Sequence, residues 1–202
     1  MGDSLNFDLK PRYLDGFRLY NSKSRTKELF VPLQEGKATM YVCGITPYDV
    51  GHLGHALVYS VQDTLHRWLD FLGYQVNHIQ NITDIDDDMI RKSVELDISI
   101  AELTQKNHSI YLEEMDALNV MRPDKFPLVS EYIQEIIESI TILEMKDFAY
   151  NVNGYVFFNT LATRSFGVLS GYSFDKLSTM PRTDTMPNEP EHLKLNSSDF
   201  LL

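Results

Sequence analysis

The chain has 202 residues, 43% of them apolar and 23% charged, which is the make-up of a globule with room for one proper core. No stretch approaches the ~20 consecutive apolar residues of a membrane span, and Met1 to Lys10 lacks the basic start and apolar centre of a signal peptide, so a membrane partner is not expected. A net charge of -11 without a basic cluster (Arg18, Lys23, Arg25 and Lys27 are the densest group) disfavours nucleic-acid binding by this chain alone. The single cysteine excludes an internal disulfide framework and fits a reducing, cytoplasmic setting.

In chain order, Met1 to Phe17 is polar and irregular, the pattern of a loosely tied arm. Leu19 to Val31 reads as a hairpin or short strands. Ala38 to Val42 is a buried-strand pattern rich in β formers, and a turn is expected at Cys43. Leu57, Val58, Val61, Leu65, Trp68, Leu69 and Leu72 recur at helical spacing, with Trp68 expected in the core. Gly73 stands where a helix C-terminal glycine belongs. Val76 to Gln80 reads as a second strand, so strand, helix and strand make a βαβ unit with parallel strands.

A helix is expected to begin among Asp84, Asp86, Asp87 and Asp88, whose charges suit its positive end on a solvated face. Ser99 and Glu102 form a capping box for a helix over Ile100 to Asn119, which Pro123 and Pro127 end. Ile133, Ile136, Ile137, Ile140 and Leu143 mark a strongly amphipathic helix. Asn153-Gly154, between Phe148-Ala149-Tyr150 and Tyr155 to Phe158, is a two-residue hairpin signal. Beyond Tyr172 the chain turns polar and proline-bearing and reads as loop, ending on an apolar Asp199-Phe200-Leu201-Leu202.

The chemistry concentrates in Cys43-Gly44-Ile45-Thr46-Pro47-Tyr48-Asp49-Val50-Gly51-His52-Leu53-Gly54-His55. This run puts a thiol, small residues and two histidines between a strand and a helix. Such mouths bind ligands in α/β proteins, because the first N–H groups of the helix are unpaired and favour an anion. The plainer alternatives are that Cys43 is a small apolar residue and that the two histidines merely cap the helix. His66 and His78 read as structural, and Tyr150, Tyr155, Phe157 and Phe158 as hairpin packing.

His52-Leu53-Gly54-His55 resembles the His-Ile-Gly-His signature of class I aminoacyl-tRNA synthetases. With Tyr41-Val42-Cys43-Gly44 before it and Asn81-Ile82-Thr83-Asp84-Ile85-Asp86-Asp87 after it, the chain resembles cysteinyl-tRNA synthetases and the related cysteine ligase of mycothiol synthesis. The resemblance extends through Met115-Asp116-Ala117-Leu118, Tyr150 and Leu169-Ser170-Gly171. The wording Ile45-Thr46-Pro47-Tyr48-Asp49 and Leu57 lean to the mycothiol type.

The resemblance implies an α/β fold, a partial Rossmann-like nucleotide-binding domain with a helical connective insertion and a β-hairpin. It implies an arm over 1–18, the first half of the catalytic domain over 19–84, the insertion over 85–172 and a loop-rich segment over 173–202. It implies activation of cysteine by ATP with Mg2+, giving cysteinyl-adenylate and pyrophosphate. His52 and His55 are the implied catalytic residues. Gly44, Tyr48, Asp49, Gly51 and Gly54 join them in holding ATP, Thr46 and Thr83 touch the amino acid, and Cys43 is one ligand of a zinc ion that selects the thiolate. The acceptor is tRNA or an amino sugar.

The family's further zinc ligands and its Lys-Met-Ser-Lys-Ser clamp have no counterpart here; Lys176-Leu177-Ser178-Thr179-Met180 is only a passing likeness. Two expectations follow. One is a ligase, acting alone or with a partner chain that supplies the other half. The other is a non-catalytic fragment that binds nucleotide, amino acid or a partner protein.

Overall fold

The computed structural model describes residues 16–180 and 190–202. Most of the arm expected over Met1–Phe17, and Pro181 and Pro187, lie outside these residues. The described residues gather into two compact units, one of residues up to Leu19 with Glu28–Glu131, the other of Tyr20–Lys27 with Tyr132–Leu202. β1 (Arg18–Asn21) and β2 (Thr26–Leu29) pair as a two-stranded sheet, as the hairpin reading of this stretch expects.

The first unit is built on a βαβ crossover. In β3 (Lys37–Ile45), Ala38, Met40, Val42 and Ile45 are buried while Thr39, Tyr41 and Cys43 are exposed, the period of two of a strand with one covered face. The expected turn at Cys43 is corrected: β3 runs on through Cys43 and Gly44. Gly44 permits this because a Cβ there would collide with the Asn81 carbonyl oxygen, and its N–H instead donates to Asn81 Oδ1 at 2.9 Å. α1 (Leu53–Phe71) leads to β4 (Gln75–Ile82), which pairs parallel with β3 from Lys37↔Gln75 to Val42↔Gln80 and, after an irregularity, at Ile45↔Ile82.

Gly73 closes α1 with a positive φ of 87°. Its N–H donates to the Asp70 carbonyl and the Tyr74 N–H to the Leu69 carbonyl, the bond pair of a Schellman motif. On the far side of β4 an extended segment adds to the sheet: the Gln80 N–H donates to the Lys125 carbonyl, the Ile82 N–H to the Pro127 carbonyl, and the Asp124 N–H to the His78 carbonyl. Pro123 and Pro127 thus follow the helix and lie on a sheet margin, where a missing N–H is tolerated.

α2 (Asp87–Leu96) starts at Asp86, whose carboxylate accepts from the Asp88 N–H. α3 (Ile100–Ala117) starts at the Ser99–Glu102 capping box, with both reciprocal bonds formed. Tyr111 and Met115 of α3 and Tyr59 and Leu69 of α1 pack with Ala38, Met40, Val42 and Ile45 into the core.

The stripe read along α1 is only partly core. Leu69 and Leu72 are buried, but Leu57, Val58, Val61 and Trp68 are exposed, so Trp68 is not the core residue expected. The helix buries Tyr59, His66 and Leu69 instead; helical periodicity marks an apolar stripe without saying which side of it meets the sheet. His66 and His78 are structural as expected: both are buried, their Nδ1 atoms 3.3 Å apart.

In the second unit, α4 (Ile133–Met145) precedes the β5 (Ala149–Val152) and β6 (Tyr155–Phe158) hairpin. Asn153 and Gly154 have φ of 55° and 89°, the two left-handed residues of a type I′ turn. α4 forms where expected, yet none of its residues is buried, and Ile133, Ile136, Ile137 and Ile142 are exposed. The loop reading of the C-terminal stretch gives way to short regular elements at two places among the described residues. Ser173 caps α5 (Phe174–Thr179), and β7 (Phe200–Leu201) pairs antiparallel with β6. Between them Asp199, fully buried, accepts from the Thr160 N–H and hydroxyl, the Tyr150 hydroxyl, and the Asn196 N–H and side-chain amide.

Candidate functional site

The carboxyl ends of β3 and β4 and the start of α1 bring the singled-out residues of the first unit to one edge. Asn81 organises it. Its Oδ1 accepts from the Tyr41 hydroxyl at 3.0 Å and the Gly44 N–H at 2.9 Å, and its amide donates to Thr83 Oγ1 at 3.2 Å. The Thr83 N–H donates to the Ile45 carbonyl, which sets Thr83 beside the chain that leads into Thr46. The exposed Cys43 stands just before, its carbonyl 3.4 Å from the Tyr59 hydroxyl.

The turn from Thr46 to Gly51 is held from both ends. The buried Asn107 amide donates to the Pro47 carbonyl at 2.7 Å, tying the turn to α3. Tyr48 N–H donates to the Thr46 carbonyl, and Asp49 Oδ1 accepts from the Val50 N–H at 2.8 Å. Tyr48 and Asp49 are exposed.

His52 is the N-cap of α1, and its Nδ1 accepts from the Gly54 N–H at 3.0 Å. His55 reaches back, its Nδ1 accepting from the His52 N–H at 3.2 Å, so the two histidines form a capping box. The rings stack at 4.0 Å, and His55 stacks in turn towards Tyr59 at 6.3 Å. The hydrogen-bond pattern assigns the tautomers: with Nδ1 accepting in both, each neutral ring carries its proton on Nε2. The capping role expected as the plainer reading is therefore real, and it leaves two Nε2–H donors free of it.

Gly54 makes room for this: a Cβ there would lie 2.7 Å from His52 Cε1. At Gly51 a Cβ would run into the Glu114 carboxylate of α3. A cleft of about 380 Å³ lies between Gly51, His52, Leu53 and Ala56 on one side and Glu114 and Met115 on the other.

Partial burial, followed by the neighbouring His52, holds the His55 ring below its ordinary pKa, while Glu114 opposes the drop. Burial raises the Tyr59 hydroxyl well above its usual range, helped by Tyr111 and Cys43. Burial pushes Tyr111 up to about 12 against the hydrogen bond from Gln80.

The acidic run divides. Asp86, Asp87 and Asp88 form the expected helix start. Asp84 does not share that solvated face: it is buried and accepts from the Ser130 N–H at 2.9 Å. Among the described residues no group of three or more His, Cys, Asp or Glu side chains converges as a metal site, so Cys43 has no companions there to complete a zinc set. No helix among the described residues is long and apolar enough to cross a membrane.

Asn81, Asn107, Tyr59 and Glu114 were not singled out from the sequence. Asn81 sits inside the quoted motif and carried a signal. The other three are helical residues whose roles arise only from tertiary packing.

A parallel βαβ unit with a histidine- and glycine-bearing turn at the helix start has the Rossmann-like fold of the class I synthetase type. Comparison with known proteins agrees. Residues 29–202 match the model of the tRNA synthetases class I (C) catalytic domain, and the chain belongs to that family. It is 42% identical over 185 residues to the cysteine–tRNA ligase of Clostridioides difficile (strain 630), covering 92% of this chain and 39% of that one. It is 41% identical over 185 residues to the cysteine–tRNA ligase of Thermococcus onnurineus (strain NA1), covering 92% and 38%.

The chain thus spans about two fifths of the length of these curated relatives. Among solved structures it is similar to Mycobacterium tuberculosis methionyl-tRNA synthetase in complex with methionyl-adenylate, with a TM-score of 0.50, 16% identity and coverage of 61% of this chain and 33% of that one. It is also similar to the LeuRS of Agrobacterium radiobacter K84 in its ternary complex with tRNA and LeuAMS, with a TM-score of 0.51, 21% identity and coverage of 65% and 18%. These likenesses establish the shared fold.

Proposed function

We propose that this chain carries the cysteine- and ATP-binding part of a cysteine–tRNA ligase and takes part in forming cysteinyl-adenylate. The observation that carries the reading is the His52–His55 capping box, which presents two Nε2–H donors at a helix start flanked by Gly51 and Gly54. The relatives' names supply the amino acid and favour tRNA over an amino sugar as acceptor. In this reading residues 19–84 are the first half of the catalytic domain and 85–172 its insertion.

The reaction is attack of the cysteine carboxylate on the α-phosphorus of ATP with departure of pyrophosphate. Positioning and charge stabilisation do most of the work in such transfers. His52 and His55 donate from Nε2 to phosphate oxygens as negative charge builds, and the dipole of α1 adds the helix's positive end. Gly51 and Gly54 let the nucleotide approach the backbone, with Tyr48 and Asp49 on the same turn. Gly44 acts through the strand end that it shapes. Thr46 and Thr83 offer hydroxyls to the amino acid, and the exposed Cys43 thiol lies on the strand that leads into Thr46. Mg2+ enters with the ATP phosphates, as suits a cation that keeps several waters. No step is assigned to zinc, since Cys43 is its only ligand from these residues.

The test is cysteine-dependent exchange of labelled pyrophosphate into ATP. Exchange that disappears in His52→Asn and His55→Gln variants supports the reading. Nucleotide binding without exchange supports the non-catalytic one.

A further inference from the structure

The first turn of α1 contains no acidic side chain of its own, although the start of a helix favours a negative group. A neighbour supplies one. Glu114, on the last turns of α3, lays its carboxylate against Gly51, where a Cβ would meet Oε2 and lie 3.3 Å from Cδ. The same carboxylate lines the cleft beside His52, Leu53 and Ala56. Among the described residues it has no hydrogen-bond or ion-pair partner, while Asp63, Asp84, Asp116 and Asp124 each have one. It is half-buried, whereas its neighbour Glu113 is exposed.

We infer that Glu114 is a positioning residue of this turn: its carboxylate, set against Gly51 and the cleft beside His52, is the resident counter-charge at the start of α1 and weakens the turn's hold on a free phosphate-type anion. The groups facing His55 are His52 and Tyr59 from α1 and Glu114 from α3. Of these only Glu114 is a carboxylate, so it alone favours the protonated ring. A carboxylate at that place also competes with an arriving phosphate. The turn is then kept from holding free phosphate or pyrophosphate tightly, a useful property where pyrophosphate must leave.

The consequence for anions rests on the nucleotide reading above; the consequence for ring basicity does not. The experiment uses the full chain as wild type, Glu114→Gln and the control Glu113→Gln, which removes the same charge from an exposed neighbour. The His55 ring titration is followed by NMR, its signal assigned by loss in His55→Gln. Inorganic pyrophosphate binding is measured by calorimetry at pH 8.

The inference expects the His55 midpoint to move to lower pH in E114Q and to stay in E113Q. Pyrophosphate should bind roughly three- to tenfold tighter to E114Q, the effect of one unit charge a few ångströms away in a partly solvated site. A His55 midpoint unmoved in E114Q, or moved equally in E113Q, overturns it. If no form binds pyrophosphate, the consequence for anions is overturned, the titration alone decides on the charge role of Glu114, and ATP binding to the wild-type chain separately decides the nucleotide reading. Should E114Q not fold, E114D, which withdraws the charge by one methylene, is expected to move the midpoint the same way by less.

Discussion

His52 and His55 hold each other's backbone: the Nδ1 of His55 accepts the N–H of His52, and the Nδ1 of His52 accepts the N–H of Gly54, the residue before His55. Stability and chemistry therefore use opposite edges of the same rings. His52→Ala is expected to cost about 1 kcal/mol through the lost cap. His52→Asn keeps a capping oxygen and should melt close to wild type. Both lack the Nε2–H and should lose pyrophosphate exchange. Thermal melts beside exchange assays check this; exchange that survives in H52N while the melt is unchanged would remove the donor role.

Gly54 is needed for ring placement, not for helix stability. A Cβ there would stand 2.7 Å from His52 Cε1, so Gly54→Ala must turn the ring away. Alanine is the better helix former by about 1 kcal/mol. With the lost His52 cap offsetting that gain, the expected outcome is a melting temperature close to wild type, with exchange sharply reduced. Full exchange in G54A would show that the ring's position does not matter.

Asp199 anchors the second unit. Burial pushes its carboxyl up, but the bonds from Thr160, Tyr150 and Asn196 together win and hold it below its ordinary value of 3.8. Its folded pKa being depressed, its contribution is complete above the unfolded pKa and fades as pH falls through the folded one. Asp199→Ala strands several buried donors and is expected to destabilise this unit by about 2–4 kcal/mol. Urea unfolding followed through the tyrosines reads this, and a loss under about 0.5 kcal/mol would contradict it.

Acid should act on the first unit at higher pH. Burial first, then His66, keeps His78 below the ordinary 6.5, against Asp124 and Asp63. Burial, then Arg122, does the same for His108. In both cases the unfolded chain takes up the proton first, so stability is full above about pH 6.5 and declines as pH falls towards the folded values. Denaturant midpoints between pH 8 and pH 5 should fall in wild type and fall less in His78→Phe. An equal slope in both would contradict this.

What the sequence revealed was local, and what it concealed was tertiary. The Ser99–Glu102 box, Gly73 and Asn153-Gly154 were legible because each acts within a few residues through backbone geometry. The His52–His55 turn was legible from its residue types. Gly44 misled, since its smallness serves a close strand contact with Asn81 instead of ending β3. Trp68 misled because an apolar stripe does not name its partner surface. Asp84 looked like its acidic neighbours, yet a backbone N–H at Ser130, far along the chain, buries it. β7 was missed because a strand so short exists only through pairing with β6 and the Asp199 anchor.

The central claim is that the turn from Gly51 to His55 holds a nucleotide through two Nε2–H donors. Its most direct test is equilibrium binding of ATP with Mg2+ to the wild-type chain and to the His52→Asn, His55→Gln double variant. That variant keeps an oxygen acceptor at both capping positions and so preserves the helix start. The account predicts at least a tenfold loss of affinity, about 1.4 kcal/mol, with little change in melting temperature. Equal ATP affinity in the two proteins would contradict it.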